Sequence, residues 1–313
     1  MGIQAIDYDY TSLKSFNQPN RAVGVAYDEN EGAFRLFATR DVNDAGTGLL
    51  ESASFGNDVL LEIDYKNHTI FTCGDAMPSP VGVYKYNPDT LKVWQIQAFY
   101  VSADTGNDYV DTDTLRKSLV VKGNYLYLVY HDDSADEDKL AKFEYNNGIV
   151  GNKIREKVVI DEASIAVSTK NILFGTKLLD LDLNEISDIP SNYGVAFITD
   201  DIYALGLSGT IKTYSLDGTE LSSHTLVAAE KDGFAFTNGY LYSVGASNTL
   251  YSFSVSALGI LAPIDSDATS GSYPDGTNFL ASDNNTLVYT NTLPYSIAIN
   301  EGVFGTKLAT PTP

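Results

Sequence analysis

Leu119-Val120-Val121, then Gly123-Asn124-Tyr125-Leu126-Tyr127, then Phe143-Glu144-Tyr145-Asn146 with Asn147-Gly148 behind it, follow one another within residues 118–159. Each piece is a short run of β-branched, aliphatic or aromatic residues closed by turn residues. A helix would need apolar residues every three or four positions. A strand that is buried on one face needs them every second position, as in Phe143-Glu144-Tyr145. Asn-Gly after such a run supplies the positive φ angles of a two-residue hairpin turn. The segment therefore reads as strand, tight turn, strand, longer connection, strand, tight turn, strand.

The same order recurs along the chain. The apolar–any–apolar–polar signature returns as Val25-Ala26-Tyr27-Asp28, Tyr84-Lys85-Tyr86-Asn87, Leu181-Asp182-Leu183-Asn184, Tyr214-Ser215-Leu216-Asp217, Phe253-Ser254-Val255-Ser256 and Ile297-Ala298-Ile299-Asn300. The turn-then-aromatic-strand element returns as Asn67-His68-Thr69-Ile70-Phe71, Asp201-Ile202-Tyr203, Asn238-Gly239-Tyr240-Leu241-Tyr242 and Asn285-Thr286-Leu287-Val288-Tyr289. The first and last signatures are six intervals apart, at roughly 45 residues per interval, the length of a four-stranded propeller blade. On these residues the chain resembles the β-propeller superfamily. The expected fold is all-β, a seven-bladed β-propeller with blades at 3–39, 58–98, 118–159, 163–190, 193–227, 233–263 and 276–308. A six-bladed ring with an N-terminal extension is the alternative, because the segment before Val25 contains Pro19 and a weak second strand. Residues 1–308 form the expected single domain and 309–313 a C-terminal tail. The resemblance reaches no named family, since the Gly-His and Trp-Asp pairs of WD repeats and the double glycines of kelch repeats do not recur.

Composition narrows the function. Asp and Glu number 41 against 20 Lys and Arg, a net charge of -21. A phosphate-gripping surface needs a basic face, so nucleic acid is not an expected partner, and an anionic membrane is disfavoured on the same ground. No run reaches the roughly 18 apolar residues of a spanning helix. The single cysteine, Cys73, rules out an internal disulfide or a Cys-rich zinc site. The N-terminus, Met1 to Asp7, has neither a basic nor an apolar leader region, which points to a virion-associated or cytoplasmic protein unless a leader has been removed.

The propeller register also sorts the loops. Connections from strand two to three, and from strand four to the next blade, open on one end of the ring. The expected long loops, 40–57, 74–80, 99–117, 131–138 and 264–275, all fall in that class. They carry Asp104, Asp108 and Tyr109, Asp132 and Asp133, and Asp265 and Tyr273, the candidate partner-binding residues. Asp41, Asn43 and Asp44 are the candidate ligands of a Ca²⁺ site, because that ion takes six to eight hard oxygens.

Catalytic constellations are weaker. Ser102 to Tyr109 resembles a sialidase Asp-box, with Asp108 and Tyr109 in place of Thr and Trp. The arginines that a sialidase uses to hold a sugar carboxylate do not recur between blades. His131, Asp132 and Ser134 are too close in sequence to converge as a triad. Asp180 and Asp182 are a carboxylate pair of the kind a glycoside hydrolase uses. The expected function is a non-enzymatic binding or assembly module recognising a protein or surface glycan through its long-loop end. The composition, rich in Tyr, Asn, Thr and Asp, resembles phage structural proteins, which implies a tail or receptor-binding component, as a homo-oligomer or within a virion. The alternatives are a Ca²⁺-dependent hydrolase or lyase acting on a carbohydrate or lactone, and an intracellular interaction scaffold.

Overall fold

The computed structural model describes residues 14–15, 22–28, 33–38, 50–54, 58–64, 66–74, 80–87, 93–101, 110, 119–159, 165–192, 194–207, 209–226, 234–237, 239–245, 249–268, 280–282, 286–291 and 293–309. Within them lie seven antiparallel four-stranded sheets, each built from four consecutive strands. From sheet two to sheet seven the first strands of neighbouring sheets touch one another in sequence order, and the first strand of the last sheet touches that of the first. This is a β-propeller with first strands around the axis and fourth strands at the rim.

The cores lie between sheets, not within them. Between sheets two and three, Phe71, Val81 and Val83 pack against Leu126, Leu128, Phe143 and Tyr145. Between sheets three and four, Tyr127, Val129 and Leu140 meet Ile172, Phe174 and Leu179. Corresponding clusters join sheets four to five and five to six. Each fully buried Leu, Val or Phe contributes about 1.5–3 kcal/mol of apolar transfer. A sheet alone cannot bury both of its faces, so stacking is what makes the repeat stable. The runs Leu119–Lys122, Gly194–Phe197 and Phe234–Thr237 form first strands, as their short apolar character requires.

The first sheet corrects the register read from sequence. Val25 to Asp28 lie on its second strand, Ala22–Asp28, and its third is Ala33–Ala38. A fourth strand, Leu50–Ser54, occupies part of what was expected to be the loop 40–57. The expected single loop 40–57 is thus interrupted by a strand of sheet one. The sequence Leu-Glu-Ser-Ala-Ser hides the strand because a rim strand needs no apolar alternation. The signature in sheet four is also displaced. Leu181 to Asn184 form the turn after the third strand, Lys177–Asp180. The N–H of Leu183 donates to Asp180, as Gly218 does to Ser215 and Gly259 to Ser256. Leu183 has φ 65°, so it takes the left-handed position that glycine fills in the other two turns.

One irregularity recurs in all seven sheets, in sheet one between Arg35 and Phe37. A β-bulge lies between strands three and four, with the extra residue always on strand four. In sheet two, Val83 faces Gln97 and Tyr84 faces Gln95, leaving Ile96 unpaired. The equivalent residues are Ile154, Ile186, Leu221, Ile264 and Leu308. A bulge adds twist and re-aims one side chain, and in sheets two to seven the extra residue is aliphatic. A Cβ built on Gly259 of sheet six would lie 2.8 Å from Cδ1 of Leu221 in sheet five. One on Gly302 of sheet seven would lie 2.6 Å from Cδ1 of Ile264 in sheet six. At these two junctions the bulged residue reaches the turn glycine of the next sheet.

The residue after the bulge completes the joint. Gln97 Nε2 donates to the carbonyl of Val150 at 2.8 Å, and Val150 N–H donates back to Gln97 Oε1 at 3.0 Å. Leu261 N–H donates to Ser222 Oγ at 3.1 Å, and Phe304 N–H to Asp265 Oδ2 at 2.9 Å. Val150, Leu261 and Phe304 each lie two residues beyond a turn glycine: Gly148, Gly259 and Gly302. Further staples join strand three to the next sheet's turn. Lys142 Nζ donates to Leu181 O at 2.7 Å, Lys85 Nζ to Asn147 O at 3.0 Å, and Thr213 Oγ1 to Gly259 O at 2.6 Å.

Candidate functional site

The described part of the long-connection end is richest at sheets three and four. Strands two and three of sheet three, Tyr125–Asp132 and Glu137–Asn146, run past the first strand of their sheet and close through residues 133–136. The expected loop 131–138 is therefore a hairpin tip. Its acidic sequence folds because Asp132 gathers the turn around itself. Its carboxylate accepts the Ser134 N–H at 3.1 Å, the Ser134 hydroxyl at 2.7 Å and the Ala135 N–H at 3.1 Å, and pairs with the Lys139 ammonium. The hydrogen bond from Lys139, then that from Ser134, holds this carboxyl well below the ordinary aspartate range. Lys139 in turn faces Glu156 at 3.9 Å, and Glu156 accepts the Tyr130 hydroxyl at 2.8 Å. His131 Nδ1 lies 2.9 Å from Asp138.

Beside this hairpin runs the fourth strand of sheet three, Ile149–Val159, eleven residues long, with Ile149, Ile154 and Val158 about half exposed. Among the described residues it is the outermost strand of its sheet, and one of its edges carries no ladder. At its end a cleft of about 90 Å³ opens toward sheet four. Val158, Val159, Phe174 and Leu179 supply apolar walls, and Lys157, Lys177 and Glu185 the polar lining. Lys157 lies 3.0 Å from Glu185, and Lys177 3.5 Å from Glu185 and 2.7 Å from Asp188. Asn192 Nδ2 holds the turn beneath by donating to Gly175 O at 2.9 Å.

The residues expected from sequence are dispersed. Asp132 is buried inside its own turn, whereas Asp133 is exposed on the hairpin tip. Asp265 lies on a strand, Leu261–Ala268, and not in a loop 264–275; its carboxylate binds Phe304 N–H and Ser266 N–H. A rim strand as polar as Asp265-Ser266-Asp267 reads as loop in sequence. Asp104, Asp108, Tyr109 and Tyr273 lie outside the described residues, as do Asp41, Asn43 and Asp44. Among the described residues no three His, Cys, Asp or Glu side chains gather as metal ligands. Asp180 accepts the N–H groups of Asp182 and Asn184 at 2.8 and 2.9 Å, and Asp182 receives Lys142 at 3.1 Å. This carboxylate pair therefore organises a turn. The cleft itself was not read from sequence, because Phe174-Gly175-Thr176-Lys177 looks like any tight turn and its partners lie in another sheet.

No family model matches the chain, and no curated protein matches it. Solved structures resemble it across nearly its whole length. A chain of the mitotic checkpoint complex superposes with a TM-score of 0.66 at 10% identity, covering 93% of this chain and 87% of that chain. Hsv2 of Kluyvelomyces marxianus gives 0.61 at 10%, covering 93% and 92%. The periplasmic gluconolactonase of Pseudomonas aeruginosa gives 0.56 at 15%, covering 96% and 95%. Identities this low establish the fold alone, a β-propeller, which hosts enzymes and interaction proteins alike. They lend no support to a phage or virion role.

Proposed function

We propose that this propeller is a non-enzymatic binding module for a protein partner, engaged at the long-connection end and rim of sheets three and four. The observation that carries this reading is the fourth strand of sheet three. It stands at the rim with one edge outside any ladder among the described residues, exposes Ile154 and Val158 on the way to the long-connection end, and borders an apolar cleft. Exposed apolar side chains clustered beside a polar rim mark interaction sites. The neighbouring carboxylates hold turns together and do not converge on a reaction centre, and the hairpin tip adds an acidic border that favours specificity and encounter rate.

A photo-crosslinking amino acid placed at Asp133 and at Ile154, with Leu258 on the opposite end as control, tests the proposal in the native source. Covalent capture of the same protein from both positions, and not from Leu258, is the expected result. Hydrolysis of gluconolactone by the purified protein above the buffer rate, with no capture, would overturn it.

A further inference from the structure

The geometry points to a mode of engagement that rests on this binding-module reading: an extended, acidic segment of the partner adds to the free edge of Ile149–Val159 as a fifth strand and seats an apolar side chain in the cleft between sheets three and four. Edge addition draws affinity from main-chain hydrogen bonds and specificity from pockets for alternate side chains. Both parts are present side by side. At eleven residues the edge is the longest strand among the described residues. The cleft opens at Lys157, Val158 and Val159 of that same strand.

Charge selects the occupant. The chain carries a net charge of -21, yet this strand reads Lys153-Ile154-Arg155-Glu156-Lys157-Val158, with Lys177 across the cleft. Lysines on an edge strand repel other basic or identical edges. A second copy of this chain would set Lys153, Arg155 and Lys157 against their own counterparts, and like charges across strands destabilise pairing. An acidic strand meets the opposite situation. The ion pairs that Lys157 and Lys177 make with Glu185 and Asp188 are partly exposed. Such pairs contribute little, so they exchange partners at small cost. The cleft has about three times the share of liquid volume of one water molecule, room for a short aliphatic side chain.

The full chain is titrated with fluorescent peptides of alternating Leu and Glu, of alternating Leu and Lys, and with the Leu/Glu peptide N-methylated along one edge. Only the unmodified Leu/Glu peptide should bind. Val158→Asp and Arg155→Glu, both at exposed positions and checked for an unchanged melting temperature, should each weaken it by about tenfold or more, the loss expected of an interface hot spot. Absence of binding, equal binding of the Leu/Lys peptide, or indifference to N-methylation overturns the edge proposal. If no peptide binds while Asp133 still cross-links to a protein, the edge proposal fails and the binding-module reading stands.

Discussion

The carboxylate of Asp265 in sheet six accepts the backbone N–H of Phe304 in sheet seven at 2.9 Å. Gln97 with Val150, and Ser222 with Leu261, repeat the relationship at two other junctions. In each, the side chain that follows the bulge supplies an acceptor to the rim strand of the next sheet. Because the sheets share no strands, these bonds and the intervening cores are what hold neighbours in register.

Replacing Asp265 with Ala should therefore destabilise the ring. A hydrogen bond to a charged acceptor contributes about 1.5–3 kcal/mol, and Asp265→Asn, which keeps an acceptor, should cost less. Chemical denaturation of the three proteins measures the ranking. Equal stability of wild type and Asp265→Ala would remove the joint from the account.

Glycines in equivalent turns should respond differently. Gly259 has φ 78° and Gly218 φ 83°, so an alanine is strained at both, by about 1 kcal/mol. At Gly259 the new Cβ also meets Leu221, whereas at Gly218 nothing lies within 4 Å. Gly259→Ala should lower the melting temperature more than Gly218→Ala. Adding Leu221→Ala should recover part of the difference, as a double-mutant cycle will show.

The Asp132 turn gives a pH dependence. Its folded carboxyl titrates below the ordinary aspartate value because of Lys139 and Ser134. Its contribution is full above that ordinary value and is lost as pH falls through the depressed folded value. Asp132→Asn should therefore be less stable than wild type at neutral pH, by about 1–3 kcal/mol. The gap should narrow on acidification. A gap that widens as pH falls contradicts the assignment.

Tyr127 is fully buried, and its hydroxyl has no hydrogen-bond partner among the described residues. Burial, with lesser contributions from Tyr125 and Asp182, pushes its phenol up to about 12. A raised phenol stabilises the fold below its ordinary value, and that contribution disappears as pH rises toward the folded one. Tyr127→Phe should be neutral or stabilising by about 1 kcal/mol, since an unsatisfied donor is removed without a cavity. It should also blunt the loss of stability in alkali. Destabilisation comparable to a core truncation would show that the hydroxyl has a structural role.

Alternation and turn chemistry in the sequence determined a good deal. Runs such as Phe143-Glu144-Tyr145 read as strands, because period-two burial is written into a strand's own residues. Their spacing determined a ring of repeated sheets. Where the rule failed, it failed at the rim. Leu50–Ser54 and Asp265–Ala268 are strands with little to bury, so their composition is that of loops, and Leu183 took a glycine's place in a turn without a glycine's signature. The tertiary structure alone decided how sheets are joined and where a partner could dock. Ile96, Ile154, Ile186, Leu221, Ile264 and Leu308 share one bulge position, but turns of unequal length scatter them in sequence. The cleft between Val158 and Phe174 is lined by residues of two sheets, so no single stretch of sequence shows it. Local residues set a strand's period, whereas the contact between strands far apart in sequence is set by packing.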